Sequence, residues 1–269
     1  MRNDLPPQTW RRWALPVLLL ALGAPLWLHL GEPALFVAIN QACLLLPAPV
    51  WTGLSLLGNT WGVLAVTSPL LVLAPRLLWA WLCAVPFGVL FARLGKGFLD
   101  SPRPAAVVDN SLFRLVGEKL EVASMPSGHT LTAFAVASSI YFTLDARGRA
   151  RFAWLWLLAG AVGLSRIAVG AHWPGDVAVG AGLGVLAGLL GDLLWRRLGA
   201  AYVQAQGWRL RAVAVLLAAT VYVLLDEPLD FAQNTPLQQS LAVVVVGVLL
   251  VFAWRQRSGS ANAGSSHRA

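Results

Sequence analysis

The chain has 269 residues, of which 58% are hydrophobic and only 12% are charged, and its mean hydropathy is +0.68. Soluble domains carry about 25% charged residues, so this composition excludes an ordinary soluble protein and indicates an integral membrane protein. The net charge of +8 does not indicate nucleic-acid binding, because the cations stand at the ends of apolar runs and do not form a binding face.

Eight apolar segments are predicted to be membrane-spanning helices, since a span needs about 20 mostly apolar residues. A shorter segment, 34–48, is flanked by prolines and is predicted to be a re-entrant or interfacial piece. The fold class is therefore all-α, a polytopic integral membrane helix bundle. The predicted spans, in chain order, are 13–30, 53–74, 77–94, 127–144, 152–170, 175–195, 209–225 and 237–254.

These spans predict four parts of the chain. Residues 1–12 form the N-terminus, 13–195 a core of six helices, and 196–257 an additional two-helix segment in which nothing indicates chemistry. Residues 258–269 are rich in Ser, Gly and Ala and are predicted to be disordered.

The distribution of cations predicts the orientation. If the N-terminus is cytoplasmic, fourteen of the 20 Lys and Arg residues fall on the cytoplasmic side and six on the opposite side. This asymmetry obeys the positive-inside rule and predicts that both termini are cytoplasmic.

Three polar motifs follow or open predicted spans, and all of them fall on the non-cytoplasmic face. They are Lys96-x6-Arg103-Pro104, Pro126-Ser127-Gly128-His129 and Ser165-Arg166-x5-His172-x3-Asp176. Residues this polar beside membrane spans are costly to keep and indicate a functional site.

The third motif places His172 and Asp176 four residues apart, so that both lie on one face of a helix. A carboxylate there holds an imidazole in one tautomer, which makes His172 a candidate nucleophile towards phosphorus. In the second motif, Ser127 and Gly128 stand at a predicted helix start, where free N–H groups bind phosphate, and His129 is a candidate general acid.

The three cations Lys96, Arg103 and Arg166 are suited to stabilise the negative charge on a phosphoryl group during its transfer. Taken singly, each motif also fits a simpler interpretation: a snorkelling anchor, a helix cap or an interfacial histidine. Their order, spacing and common face favour one phosphate site.

Together the motifs resemble the three-part signature of the type 2 phosphatidic acid phosphatase superfamily, which includes the vanadium haloperoxidases. The signature Lys-x6-Arg-Pro, Pro-Ser-Gly-His, Ser-Arg-x5-His-x3-Asp is matched at every position between residues 96 and 176. The resemblance implies that His172 forms a phosphohistidine, Asp176 orients it and His129 protonates the leaving group. It further implies that the phosphate is held by a set of five residues: Lys96, Arg103, Ser127, Gly128 and Arg166.

The sequence therefore predicts a membrane phosphatase acting on a lipid phosphate or diphosphate without a metal or other cofactor, in the inner (plasma) membrane, with its active site on the outer face. A lipid phosphotransferase with the same phosphohistidine and a non-catalytic lipid-binding or transport protein are the alternatives. A haloperoxidase is disfavoured because those relatives are soluble. Segment 111–120 is expected to be either an interfacial helix or a covering loop, and the oligomeric state is left open.

Overall fold

The structure of the protein is a computed structural model that describes residues 14–18, 20, 32–198 and 207–265. In this part of the chain all regular elements are helices and no strand occurs, which agrees with the predicted all-α class. The predicted span 13–30 lies largely outside the described residues. The α-helices are α1 (Glu32–Ala42), α2 (Ala48–Leu56), α3 (Thr60–Thr67), α4 (Leu70–Leu73), α5 (Pro75–Leu82), α6 (Val85–Leu99), α7 (Pro104–Val107), α8 (Gly128–Thr143), α9 (Ala146–Arg151), α10 (Trp154–Ala168), α11 (Pro174–Leu198), α12 (Trp208–Asp226) and α13 (Thr235–Ser265).

The chain is an integral membrane protein. Among the described residues, four helical stretches are long and apolar enough to cross a bilayer, and they contain the predicted spans 77–94, 175–195, 209–225 and 237–254. The predicted spans 127–144 and 152–170 are helices of 16 and 15 residues, so the predicted number of eight spans is not confirmed. The four stretches are Pro75–Val107, Pro174–Leu198, Trp208–Asp226 and Ala232–Ser258.

The prediction of one continuous span over 53–74 is wrong, because this segment forms the end of α2 followed by α3 and α4. Asn59 adopts an extended backbone, and its side chain accepts a hydrogen bond from the Trp61 backbone N–H, which starts a new helix. At the turn between α2 and α3, Gly62 lies against the carbonyl oxygen of Leu56, where a β-carbon would clash. Hydropathy does not report such a break, since the residues on both sides of it are apolar.

Segment 34–48 contains the end of α1 and a 3₁₀ turn, and α2 then leaves at an angle of 107°. A bend of this size at a short break is found in broken spans and in re-entrant loops. The interpretation of 34–48 as re-entrant or interfacial therefore stays a prediction.

The core of the bundle is the pair α8 and α11. Gly180, Gly184 and Gly188 follow each other at four-residue spacing on α11, and a β-carbon on any of them would meet the backbone of Ser127, Leu131 or Ala135. Small residues at this spacing let two membrane helices approach until their backbones touch. Asp176 stands one turn earlier on the same ridge, so this packing sets its position relative to the start of α8.

Helices α12 and α13 pack against each other and against α3 to α5 around one apolar cluster, which includes Leu64, Leu78, Leu217 and Val245. The last helix runs to Ser265, so the described residues of the tail from 258 are helical where the composition predicted disorder. The boundary at 196 between the core and the added segment stays a prediction.

Segment 108–124 is a loop at one end of the helix bundle and contains no helix over 111–120. Buried Asn40 holds this loop in place. Its side-chain NH2 group donates to the carbonyl oxygens of Arg114 (3.0 Å) and Ile167 (2.8 Å). Its side-chain oxygen accepts a hydrogen bond from the Arg114 backbone N–H (2.8 Å). The Arg114 guanidinium donates in turn to the carbonyl oxygens of Leu46 and Cys43. Of the two expectations for 111–120, the covering loop is therefore confirmed.

Replacing Asn40 with Ala is expected to lower the free energy of unfolding by about 2–4 kcal/mol, because several buried backbone groups lose their partner at once. Gln41→Ala is the matched control, since Gln41 is exposed and makes one hydrogen bond to the same loop. Thermal unfolding in detergent compares the two variants. Equal midpoints for Asn40→Ala and Gln41→Ala would contradict a fastening role for Asn40.

Candidate active site

The structure brings the three predicted motifs together at one end of the helix bundle, where α6 and α10 end and α8 and α11 begin. Ser127 donates its backbone N–H to the carbonyl oxygen of Asp176 (3.1 Å), which joins the second motif to the third. The indole of Trp173 donates to the carbonyl oxygen of Pro102 (2.8 Å), which joins the third motif to the first. The eight predicted site residues therefore belong to one region of the molecule.

His172 and Asp176 form a buried pair. Nδ1 of His172 lies 3.1 Å from Oδ2 of Asp176, and the two side chains are 3% and 0% exposed. The same carboxylate oxygen accepts hydrogen bonds from the Trp173 backbone N–H and from the Ser124 hydroxyl. Because a carboxylate only accepts, Nδ1 carries the proton and Nε2 keeps its lone pair.

Nε2 of His172 lies 3.5 Å from Nη1 of Arg103, so the lone pair points towards a guanidinium. Burial lowers the pKa of His172 to about 4, although the hydrogen bond and charge of Asp176 act in the opposite direction. The imidazole is therefore neutral at ordinary pH, which is the form that a nucleophile requires.

Arg103 is held by main-chain carbonyl groups. Its guanidinium donates to the carbonyl oxygens of Val122 (2.9 Å), Ala171 (3.0 Å) and Ala123 (3.4 Å), and the side chain is almost fully buried. Carbonyl oxygens fix the direction of the group without neutralising its charge. Arg103 therefore keeps a full positive charge beside His172.

Arg166 is the second buried cation. Its Nη1 donates to the Ser55 hydroxyl, and the guanidinium lies 5.8 Å from the ring centroid of Phe231. Its Nε has no hydrogen-bond partner among the described residues. A buried donor without a partner is uncommon in folded proteins and fits a ligand oxygen.

The turn that follows α10 connects Arg166 to His172. The carbonyl oxygen of Arg166 accepts the backbone N–H groups of Ala171 (3.0 Å) and His172 (3.2 Å). Gly170 makes this turn possible, because its φ is +80° and a β-carbon there would collide with the carbonyl oxygen of Arg114.

Lys96 lies in the last turn of α6 and is partly exposed, close enough to Arg103, Arg166 and Asp176 for their charges to act on it. Gly95 allows this approach, since a β-carbon there would collide with the ring of Pro126. The three predicted cations thus converge from three different helices.

Ser127 stands at the N-cap position of α8, as predicted, although its hydroxyl makes no capping bond and instead accepts from Thr130 Oγ1 (2.9 Å). A β-carbon on Gly128 would meet no atom within 4 Å. Packing in the protein therefore does not require glycine at 128, and the open space in front of it suits a ligand that approaches the backbone.

His129 follows in the first turn of α8, with its side chain 17% exposed. Its Nε2 lies 3.0 Å from Oδ2 of Asp230, a residue of the loop between α12 and α13. No sequence pattern predicts this contact, because the two residues are 101 positions apart. Ser124 and Ser55 were missed because a single serine outside any motif carries no sequence signal.

An apolar cavity of about 320 Å³ opens beside His129. Gly128, His129 and Asn59 stand at its polar end. The remaining lining comes mostly from small and aliphatic residues of α3, α6 and α8, including Val63, Val85, Val89, Ala92 and Val136.

No group of three or more His, Cys, Asp or Glu side chains that suits a metal ion comes together in the described ranges. Independence of a metal stays a prediction from the sequence.

Parts of this chain are similar to known proteins. A 100-residue stretch is 49% identical to the bacitracin transport permease protein BcrC of Bacillus licheniformis and covers 36% of this chain and 46% of that protein. The lipid A 1-phosphatase of Rhizobium etli is 34% identical over 133 residues, which cover 47% of this chain and 54% of that protein. This chain thus spans about half or less of the length of these curated relatives.

The fold is similar to the crystal structure of Aquifex aeolicus LpxE, with a TM-score of 0.50 and 27% identity over 60% of this chain and 93% of that one. Residues 76–199 match the family model of the PAP2 superfamily, and they contain every residue of the three motifs. The predicted resemblance to this superfamily is therefore confirmed over residues 76–199.

Proposed function

We propose that this chain is a membrane phosphatase that hydrolyses a lipid phosphate or diphosphate through a phosphohistidine on His172. The observation that carries the proposal is the buried imidazole, with Nδ1 bonded to Asp176 and Nε2 directed at Arg103. This arrangement leaves a lone pair beside a fixed positive charge, which suits attack on a phosphorus atom.

The reaction takes place in two steps. Nε2 of His172 attacks phosphorus in line, the bond to the leaving oxygen breaks, and His129 donates a proton to that oxygen. Water then attacks the phosphohistidine, with His129 accepting its proton, and inorganic phosphate is released. Asp176 stabilises the positive charge that the His172 ring acquires in the first step.

The cations supply most of the stabilisation. Arg103 and Arg166 are near enough for their charges to act on His172, and both also act on Lys96. Gly128 leaves the helix start open to phosphate oxygens. Arg166 Nε, which is buried without a partner among the described residues, is the donor that a bound phosphate satisfies.

The apolar cavity beside His129 supports a lipid substrate. Its lining is that of an acyl- or isoprenoid-chain site, while its polar end meets the proposed general acid. The leaving oxygen then lies next to His129 and the hydrocarbon chain extends between α3, α6 and α8. The name of the Rhizobium etli relative, lipid A 1-phosphatase, is consistent with this substrate class.

We further propose that the site lies on the outer face of the inner membrane and that both termini are cytoplasmic. The excess of Lys and Arg in the other loops supports this orientation. The name of the BcrC relative refers to transport, so a transport protein with the same pocket is the second candidate.

His172→Ala is expected to lower phosphate release by at least about 10³-fold, because no other group takes over the attack on phosphorus. The measurement is phosphate release by purified protein from a panel of lipid phosphates and diphosphates. A labelled donor with a lipid acceptor separates hydrolysis from phosphotransfer to a second lipid. Transport or binding that survives in His172→Ala, with no hydrolysis by the wild type, would establish the non-catalytic alternative.

The profile of kcat/KM against pH is expected to lack the acidic limb near pH 6.5 that a nucleophilic histidine with an ordinary pKa gives. The ring of His172 must be neutral to attack, and its lowered pKa keeps it neutral until the pH falls through about 4. Activity is therefore retained between pH 6.5 and 4 and lost below. The titration of the substrate phosphate is measured separately and divided out. A remaining acidic limb near pH 6.5, with activity falling as the pH is lowered, would contradict the neutral, buried nucleophile.

Val89→Trp places a large ring in the cavity, and KM for a long-chain lipid phosphate is expected to rise about tenfold. A water-soluble short-chain phosphate keeps its rate, because the phosphate site is untouched. Leu90→Trp is the matched control, since Leu90 is exposed on the same helix outside the cavity lining. Identical effects of the two variants would exclude the cavity as the chain site.

A further inference from the structure

The loop between α12 and α13 reaches the proposed general acid. Oδ2 of Asp230 lies 3.0 Å from Nε2 of His129 and also accepts a hydrogen bond from the Asn59 amide (2.7 Å). The side chains of His129 and Asp230 are 17% and 27% exposed. This carboxylate thus lies at the edge of the site, although it belongs to none of the three motifs.

The loop is fixed in place by the residues that follow Asp230. Phe231 is buried in a cluster with Trp51, Ala168 and Val169. Asn234 donates to the carbonyl oxygen of Thr52 (2.9 Å) at the start of α13. Asp230 is therefore presented by a packed segment and does not depend on a free loop to meet His129.

The backbone at Asp230 supports a specific role. Its φ is +50°, in the left-handed region that residues other than glycine rarely occupy. Such a conformation costs free energy and persists where the surroundings impose it, most often at functional sites. Here it coincides with a side chain directed at His129.

The charges around His129 come from three elements. Arg166 at the end of α10 and Lys96 at the end of α6 are cations, and Asp230 is the carboxylate among the charged groups that act on the ring. Two nearby cations disfavour protonation of the His129 ring, so the protonated ring depends on a nearby anion. Burial of Asp230 acts to raise its pKa, but the hydrogen bonds from His129 and Asn59 and the charges of His129 and Arg166 outweigh it and hold the pKa well below its ordinary value.

We propose that Asp230 is a positioning residue for the general acid His129, so that the last two helices take part in the reaction; this rests on the proposed function. Asp230 accepts the Nε2–H hydrogen bond of the imidazolium and leaves Nδ1–H for the substrate. As the bond from phosphorus to Nε2 of His172 forms, the electron pair of the breaking P–O bond goes to the leaving oxygen. That oxygen takes the proton from Nδ1 of His129.

The test is Asp230→Asn, measured on a long-chain alkyl phosphate and on p-nitrophenyl phosphate. An alkoxide needs a proton to leave, whereas p-nitrophenolate leaves without one. We therefore expect kcat to fall about 10- to 100-fold on the alkyl phosphate and to change little on the aryl phosphate. The basic limb of the alkyl-phosphate kcat profile moves to lower pH, because the imidazolium has lost its anion.

Asp226→Asn is the matched control, since it removes the same charge from an exposed position at the end of α12. Asp230→Glu keeps the charge and is expected to recover part of the rate on the alkyl phosphate. Thermal unfolding of each variant checks that the substitution leaves the protein folded.

An equal fall on both substrates would make Asp230 merely structural and overturn the proposal, as would an unchanged rate. Faster turnover by Asp230→Asn would also overturn it, because the carboxylate would then be obstructing the site. These outcomes differ from failure of the proposed function itself, in which the wild type releases no phosphate from any substrate or His129→Ala keeps full activity on the alkyl phosphate.

Discussion

The close contact between α8 and α11 sets the distances on which the proposed chemistry depends. Glycines at three successive turns of α11 remove the side chains that would hold the helices apart, and Asp176 occupies the next turn towards the helix start. The backbone of Ser127 bonds directly to that of Asp176. A larger residue on the ridge would therefore move the carboxylate and its histidine away from the helix start that faces the phosphate.

A second constraint concerns the buried cations, because a guanidinium inside an apolar helix bundle needs hydrogen-bond acceptors. Arg103 obtains them from main-chain carbonyl groups and Arg166 from a serine hydroxyl and an aromatic face. A carboxylate partner would have neutralised each charge. With neutral acceptors, both side chains are held in position and their charge stays available to an anion that enters the site.

Local patterns in the sequence predicted the contact between His172 and Asp176, because the two residues are one helical turn apart. The motif order and the composition likewise predicted the family resemblance and the membrane class. Contacts between distant residues were beyond prediction. Ser124 beneath Asp176, Asn40 beneath the covering loop and Asp230 beside His129 depend on tertiary packing, and no periodicity announces them. The break at Asn59 was missed because hydropathy responds to composition and not to helix capping.

The place of Phe231 has a consequence for the order in which the protein is made. Its ring lies under Arg166, yet it comes from a loop that follows the third motif by more than fifty residues. A nascent chain that ends before α12 already contains all three motifs, but one face of the arginine is still uncovered. The pocket is completed only when the final hairpin inserts, so synthesis of the whole chain precedes formation of the finished site.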